Sequence, residues 1–173
     1  VHLAEAEVPK YIIAIDPGNM NTALVVYDCV TKRPIFAQKA SNADILNILH
    51  SKVTRYDDSQ VCIEMVASYG MPVGRTVFDT CVWIGRYLQH MVPQRIARLI
   101  VRKDVKMHIC GSTRATDANI RQALIDRYGN TAAVAVGTKK DPGPLYKLGN
   151  DERAALALAI TAAETTSEYK TGE

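Results

Sequence analysis

Read along the chain, hydrophobic and polar positions resolve first into short strands. Tyr11 to Ile15 is an apolar run that stops at Asp16-Pro17-Gly18, a turn signal. Thr22 to Tyr27 is a second, β-branched run ending at Asp28, and Pro34 to Lys39 alternates apolar and polar residues as a third. Strands so closely spaced predict an antiparallel meander with short connections. A helix follows: Ser41 can cap it, Asp44 stands three residues later, and Ile45, Ile48 and Leu49 supply the apolar stripe.

Val61-Cys62-Ile63 predicts a fourth strand that runs into Glu64. After a loop rich in Gly and Pro, helical spacing resumes at Thr76, with Val77, Cys81, Ile84 and Leu88 on the predicted inner face. Arg98 to Val101 reads as a fifth strand. Helical segments over Val105 to Cys110 and Thr116 to Tyr128 come next, the second closed by Gly129. Residues 130–149 read as irregular. The last helix opens at Asn150-Asp151-Glu152 and is apolar nearly all round through Ile160, so it should lie against the sheet.

The order β-β-β-α-β-α-β-α-α-α predicts an α/β layered domain with a mixed sheet. At 173 residues the chain fits one domain able to bury its own core, with residues 1–9 as an N-terminal arm and 163–173 as a C-terminal tail. A composition of 47% hydrophobic and 23% charged residues is that of a globular protein. No apolar run approaches the roughly 20 residues of a spanning helix, and the first residues lack the basic and apolar regions of a secretory signal. The expectation is a cytoplasmic or nucleoid protein with no membrane partner. The four cysteines form no CxxC pair and read as reduced hydrophobes; the four histidines are scattered, which leaves a His/Cys zinc site without support.

A net charge of +3 discriminates little, but its distribution is uneven. Arg95, Arg98, Arg102, Lys103, Lys106, Arg114 and Arg121 are opposed within their stretch only by Asp104 and Asp117. Such a run suits either phosphate binding or a solvated face balanced by acids elsewhere.

Three carboxylates stand at element ends: Asp16 after the first strand, Glu64 after the fourth, Asp151 at the start of the last helix. Asp before Pro-Gly is commonly a turn residue, and Asp at a helix start commonly a cap. Glu64 is less easily explained, because it interrupts an apolar stretch where a lone carboxylate needs a cation, a raised pKa or a metal. If strands one and four are neighbours, the last helix can bring Asp151 beside the other two. Oxygen donors without His or thiolate suit Mg²⁺ or Mn²⁺. Two such ions about 4 Å apart can drive phosphodiester hydrolysis by an activated water. Neither a P-loop nor a G-x-S-x-G elbow occurs, so no nucleotide cofactor or covalent intermediate is expected.

Together these motifs resemble the RuvC family of Holliday-junction resolvases, of ribonuclease H-like fold. Ile15-Asp16-Pro17-Gly18 with the strand from Thr22 is similar to the family's opening motif. Val61 to Met65 resembles the strand of its catalytic glutamate, and Val101 to Lys106 leading to Gly111 its basic segment. Asp151 ahead of the alanine- and leucine-rich helix resembles the start of its final acidic helix. The similarity runs over roughly residues 10–162, in the family order. It implies a five-stranded mixed sheet flanked by helices on both faces, a homodimer, and cleavage of four-way DNA junctions with Mg²⁺ or Mn²⁺.

The resemblance further implies that Asp16, Glu64 and Asp151 are metal ligands and that Lys106 and Arg114 meet the scissile phosphate. The basic segment with Arg102, Lys103, Lys106, Arg114 and Arg121 is then DNA-facing. Tyr69 and Arg75 lie in the loop after Glu64, which suits either contact with the crossover or an ordinary surface loop, and the helix bearing Phe78 and Trp83 is a candidate dimer seam whose apolar stripe core packing explains equally well. One position departs from the family pattern: where a second acid follows one turn into the last helix, this chain has Ala154. Either three carboxylates suffice or Glu152 substitutes after a local shift. The alternatives are another ribonuclease H-like metal nuclease acting on flaps, branched DNA or RNA, and a non-catalytic branched-DNA-binding module.

Overall fold

A computed structural model describes residues 9–68, 70, 72–91 and 96–165. Five strands form one mixed sheet: β1 (Tyr11–Asp16), β2 (Asn21–Asp28), β3 (Arg33–Ser41), β4 (Ser59–Met65) and β5 (Arg98–Val101). Their order across the sheet is β3-β2-β1-β4-β5, the first three antiparallel and β1, β4 and β5 parallel. Helix α1 (Asn42–Arg55) connects β3 to β4, and α2 (Arg75–Met91) lies between β4 and β5. Beyond β5 come α3 (Arg102–Cys110), α4 (Asp117–Arg127), the single turn α5 (Ala132–Ala135) and α6 (Asn150–Glu164). The turn α5 falls in the stretch predicted to be irregular, and α6 extends two residues into the predicted tail.

β1 is buried on both faces, as a central strand should be, with Ile12, Ile13, Ala14 and Ile15 all inaccessible. Its odd positions and Leu24, Val26, Val61 and Ile63 pack beneath α1 and α2. Its even positions, with Ala23, Val25, Tyr27 and Cys62, pack beneath α3, α4 and α6. Helices therefore cover both faces. The all-round apolar stretch of α6 is explained by its position, buried from Ala154 to Ala162 across β1 and β2. β3 is an edge strand and tolerates Pro34 near its start. Every cysteine is free, as the spacing suggested.

The inner face of α2 differs from the predicted stripe. Thr80, Ile84, Tyr87 and Met91 are buried, so of the four predicted positions only Ile84 faces inward fully. Hydrogen bonds that an apolar pattern does not register let two polar positions be buried there. The Thr80 hydroxyl donates to the Thr76 carbonyl at 2.8 Å, and the Tyr87 hydroxyl donates to Thr22 Oγ1 at 3.0 Å. Phe78 and Val82 are consequently left on the outside, 60% and 55% exposed.

Candidate active site

Strand geometry builds the site. The register of β1 and β4 ends at Ile15 with Ile63, so Asp16 and Glu64 stand side by side at the C-terminal ends of two parallel neighbours. Both are even positions in strands whose even positions face α6, which directs both carboxylates to that face. In an open α/β sheet this carboxyl edge is where ligand sites form. The same row continues outward: Asp16 pairs with Ala23, and Ala23 with Lys39. Because Ala23 is small, the Lys39 side chain can reach over it to Asp151 in the first turn of α6, where Nζ lies 2.5 Å from Oδ2. The helix N-terminus favours the negative charge of Asp151.

The loop after Asp16 is fixed by a buried polar network. Thr22 Oγ1 donates to Asn42 Oδ1 at 2.7 Å, and Asn42 Nδ2 donates to the Gly18 carbonyl at 3.0 Å. Tyr87 of α2 ties into the same hydroxyl and also donates to the Asn42 carbonyl at 3.3 Å. Gly18 itself is required by space, since a Cβ there would lie 2.4 Å from the Asn21 carbonyl oxygen.

Arg102 is the main cation inside the cluster. Its Nη1 donates to Glu64 Oε2 at 3.1 Å and its Nη2 to Asp117 Oδ1 at 2.6 Å. Asp117 is delivered by a capping box in which Thr116 and Asn119 exchange hydrogen bonds. Burial pushes the Asp16 carboxyl up to about 7; Glu64, Asp151 and Asp117 add to the rise and Arg102 opposes it. Burial also raises Glu64, against the pull of Arg102 and Lys106. Negative charge is thus under-compensated at Asp16, and the donors are all hard oxygens, a set suited in type to Mg²⁺ or Mn²⁺. Among the described residues, however, no group of three or more His, Cys, Asp or Glu side chains stands close enough to hold a metal ion as it is. Lys39 draws Asp151 aside and Arg102 holds Glu64.

The predicted residues divide accordingly. Asp16 and Glu64 stand side by side at one edge of the sheet, and Asp151, at the start of α6, is paired with Lys39. Glu152 shares the first turn of α6 but lines a separate groove of about 390 Å³ beside β3. Arg102, read from sequence as DNA-facing, is turned inward to the carboxylates. Lys103 and Lys106, with Arg102 and Thr113, line an open groove of about 290 Å³ next to them. Arg114 and Arg121 are exposed nearby in sequence, Arg121 lining a cleft with Arg102 and Asp117. Arg98 instead anchors the far end of α6 through the Ala162 carbonyl and Thr165 hydroxyl. Arg75 is exposed at the start of α2, 3.8 Å from Asp79. Tyr69 and Arg95 lie outside the described residues. Lys39 and Asp117 were missed, because their roles depend on pairings across the sheet and between helices.

A β3-β2-β1-β4-β5 mixed sheet covered on both faces, with carboxylates at the ends of β1 and β4, defines a ribonuclease H-like α/β domain. Among solved structures the chain is similar to Thermus thermophilus RuvC, with a TM-score of 0.64 and 16% identity over 91% of this chain and 96% of that one. It is also similar to T. thermophilus RuvC in complex with Holliday junction substrate, with a TM-score of 0.68 and 16% identity over 92% and 96%. The fold is therefore RuvC-like. No family model matches the sequence, and no curated protein matches it.

Proposed function

We propose that this protein is a structure-selective endodeoxyribonuclease that resolves four-way (Holliday) junctions by divalent-metal-dependent phosphodiester hydrolysis. The observation that carries this reading is the pair of half-buried carboxylates, Asp16 and Glu64, side by side at the ends of parallel strands in a RuvC-like fold, with Asp151 near them at the start of α6. Asp16, Glu64 and Asp151 would hold Mg²⁺ or Mn²⁺; Glu152 lies on the other side of α6's first turn. When bound, the cation supplies water activation and neutralises charge at the phosphate.

The rest of the work belongs to the chain. Lys103 and Lys106 line the groove beside the carboxylates and would hold the phosphodiester backbone there, with Arg114, Arg121 and Arg75 extending the basic surface. Lys106 acts on Glu64 electrostatically and is the candidate to meet the scissile phosphate. The exposed Phe78 and Val82 of α2 would form the seam of a homodimer, which presents two sites to one junction. Such a protein would work in the cytoplasm or nucleoid.

The test is cleavage of a labelled synthetic four-way junction in Mg²⁺ or Mn²⁺, beside linear duplex, flap and RNA–DNA hybrid. Paired symmetric nicks confined to the junction and lost with EDTA are expected. Preferential cutting of flap or hybrid would keep a metal nuclease and replace its substrate. A second reading, a branched-DNA-binding module that does not cut, is favoured by the cations already paired with Glu64 and Asp151 and by Ala154. Its signature is tight junction binding with no nicks.

A further inference from the structure

The groove beside β3, about 390 Å³, adjoins the carboxylates without containing them. One wall is the strand itself from Arg33 to Ala37, the other is the chain from Pro142 to Leu148, and Glu152 of α6 completes the lining. Glu152 follows Asp151, whose partner Lys39 stands two residues beyond Ala37 on the same face of β3, so the groove runs up to the cluster. Residues 31–39 and 138–149 hold Lys32, Arg33, Lys39, Lys139, Lys140 and Lys147 against Asp141, and Glu152 adds one acid from α6. That excess of positive charge suits a polyanion.

Both walls are preformed. The fully described stretch 136–149 forms no helix or strand beyond one bridge between Gly137 and Pro142, and irregular chain of that length in a compact domain is commonly functional or disordered. Here it is tied down. Leu145 is fully buried and its N–H donates to the Ala135 carbonyl at 2.8 Å, while the Gly143 N–H donates to the Val136 carbonyl at 3.0 Å. Tyr146 and Lys147 are thereby held at the groove, with Lys147 Nζ 5.6 Å from the Tyr146 ring centroid. Lys147 has a φ of 60°, a left-handed conformation that costs a lysine energy and persists where its surroundings impose it. The opposite wall is an edge strand, whose outward backbone groups lie outside the ladder. Val26 pairs with Phe36 and Tyr27 with Pro34, so Ile35 is the extra residue of a β-bulge. Bulge and proline make that edge a poor template for an added peptide strand, since one breaks the register and the other lacks an N–H. A nucleic-acid strand needs no such register: its phosphates take cations and its bases take an aromatic face.

Building on the reading of this chain as an enzyme of nucleic acid, but on no bound metal, we propose that this groove is the track of one nucleic-acid strand adjoining the carboxylate cluster. Arg33 and Lys147, both exposed, neutralise its phosphates from the two walls, and Tyr146 gives one base a stacking face. Lys39 marks where the track meets the cluster.

The experiment is fluorescence anisotropy of a labelled oligothymidylate in EDTA across a salt series, on wild type, the double variant Arg33→Gln with Lys147→Gln, and Tyr146→Ala, each checked for folding by circular dichroism. The wild type should bind. The double variant should lose about 1.4 from the slope of log affinity against log salt, ~0.7 per phosphate contact, and Tyr146→Ala should bind roughly tenfold more weakly. An iodouracil-substituted oligonucleotide irradiated on the wild type should crosslink to Tyr146; if Tyr146→Ala does not fold, that crosslink decides in its place. No binding by the wild type, an unchanged slope in a folded double variant, or crosslinks confined to other residues would overturn the track, while junction cleavage, measured separately, would leave the nuclease reading standing. Competition by polyglutamate as strong as by unlabelled oligothymidylate would replace the strand with an acidic peptide. Oligothymidylate held at Tyr146 by a protein that cuts no junction would keep the track and remove the nuclease.

Discussion

Replacing Asp16 by Asn tests the electrostatics of the cluster directly. The native carboxyl titrates at about 7 instead of 3.8, raised by burial and then by Glu64, Asp151 and Asp117. The folded protein therefore binds that proton more tightly than the unfolded chain. Stability contributed by this group falls as pH climbs from about 4 to about 7, and the cost is complete above that window. At 1.36 kcal/mol per pKa unit, a rise of roughly 3 units sets a ceiling of about 4 kcal/mol. Side-chain relaxation and water entry reduce it, so Asp16→Asn, which keeps the shape and removes the charge, should stabilise by about 2 kcal/mol near pH 8. For a chain of this size that is a Tm increase of ~4–8 °C. The assay is thermal unfolding in EDTA at about pH 8 and again near pH 4, where Asp16 of the folded protein is protonated and the difference should largely vanish. A variant no more stable than wild type near pH 8, or a difference independent of pH, would refute the reasoning. The same variant should lose junction cleavage while keeping junction binding, since active-site charge trades stability for function.

Other outcomes follow from the same geometry. Lys106→Ala should weaken junction binding and reduce the slope of log affinity against log salt by roughly 0.9, read by fluorescence anisotropy across a salt series; unchanged affinity would move the DNA surface away from this groove. Tyr87→Phe removes the hydroxyl proton that Thr22 Oγ1 and the Asn42 carbonyl share and should cost ~1 kcal/mol in urea unfolding. The loop from Gly18 to Met20 should exchange amide hydrogens faster in that variant, and identical exchange would separate Tyr87 from the site. In sedimentation velocity the proposed dimer of the wild type should become monomeric on Phe78→Asp with an unchanged circular dichroism spectrum; a persisting dimer would place the seam elsewhere, and a monomeric wild type would remove it.

Much of this protein is determined by local pattern. The strands read at residues 11–15, 22–27 and 98–101, the Ser41 cap and the all-round apolar helix from Asn150 follow from apolar period and turn chemistry, which act over a few residues. Asp16, Glu64 and Asp151 were conspicuous for the same reason: Asp16 and Glu64 follow apolar strands, and Asp151 opens an apolar helix. Tertiary structure decided what those carboxylates meet. A linear run of basic residues does not reveal that Arg102 turns inward to Glu64 and Asp117, that Arg98 secures the far end of α6, or that Lys106 stays on the groove. Lys39 reaches Asp151 only because Lys39, Ala23 and Asp16 share one row of the sheet, a register set by pairing between strands. The inner face of α2 shifted from the apolar stripe because Thr80 and Tyr87 could bury hydroxyls with partners in place. Burial and charge compensation are properties of neighbours distant in sequence, and they are what separate a turn aspartate from a site.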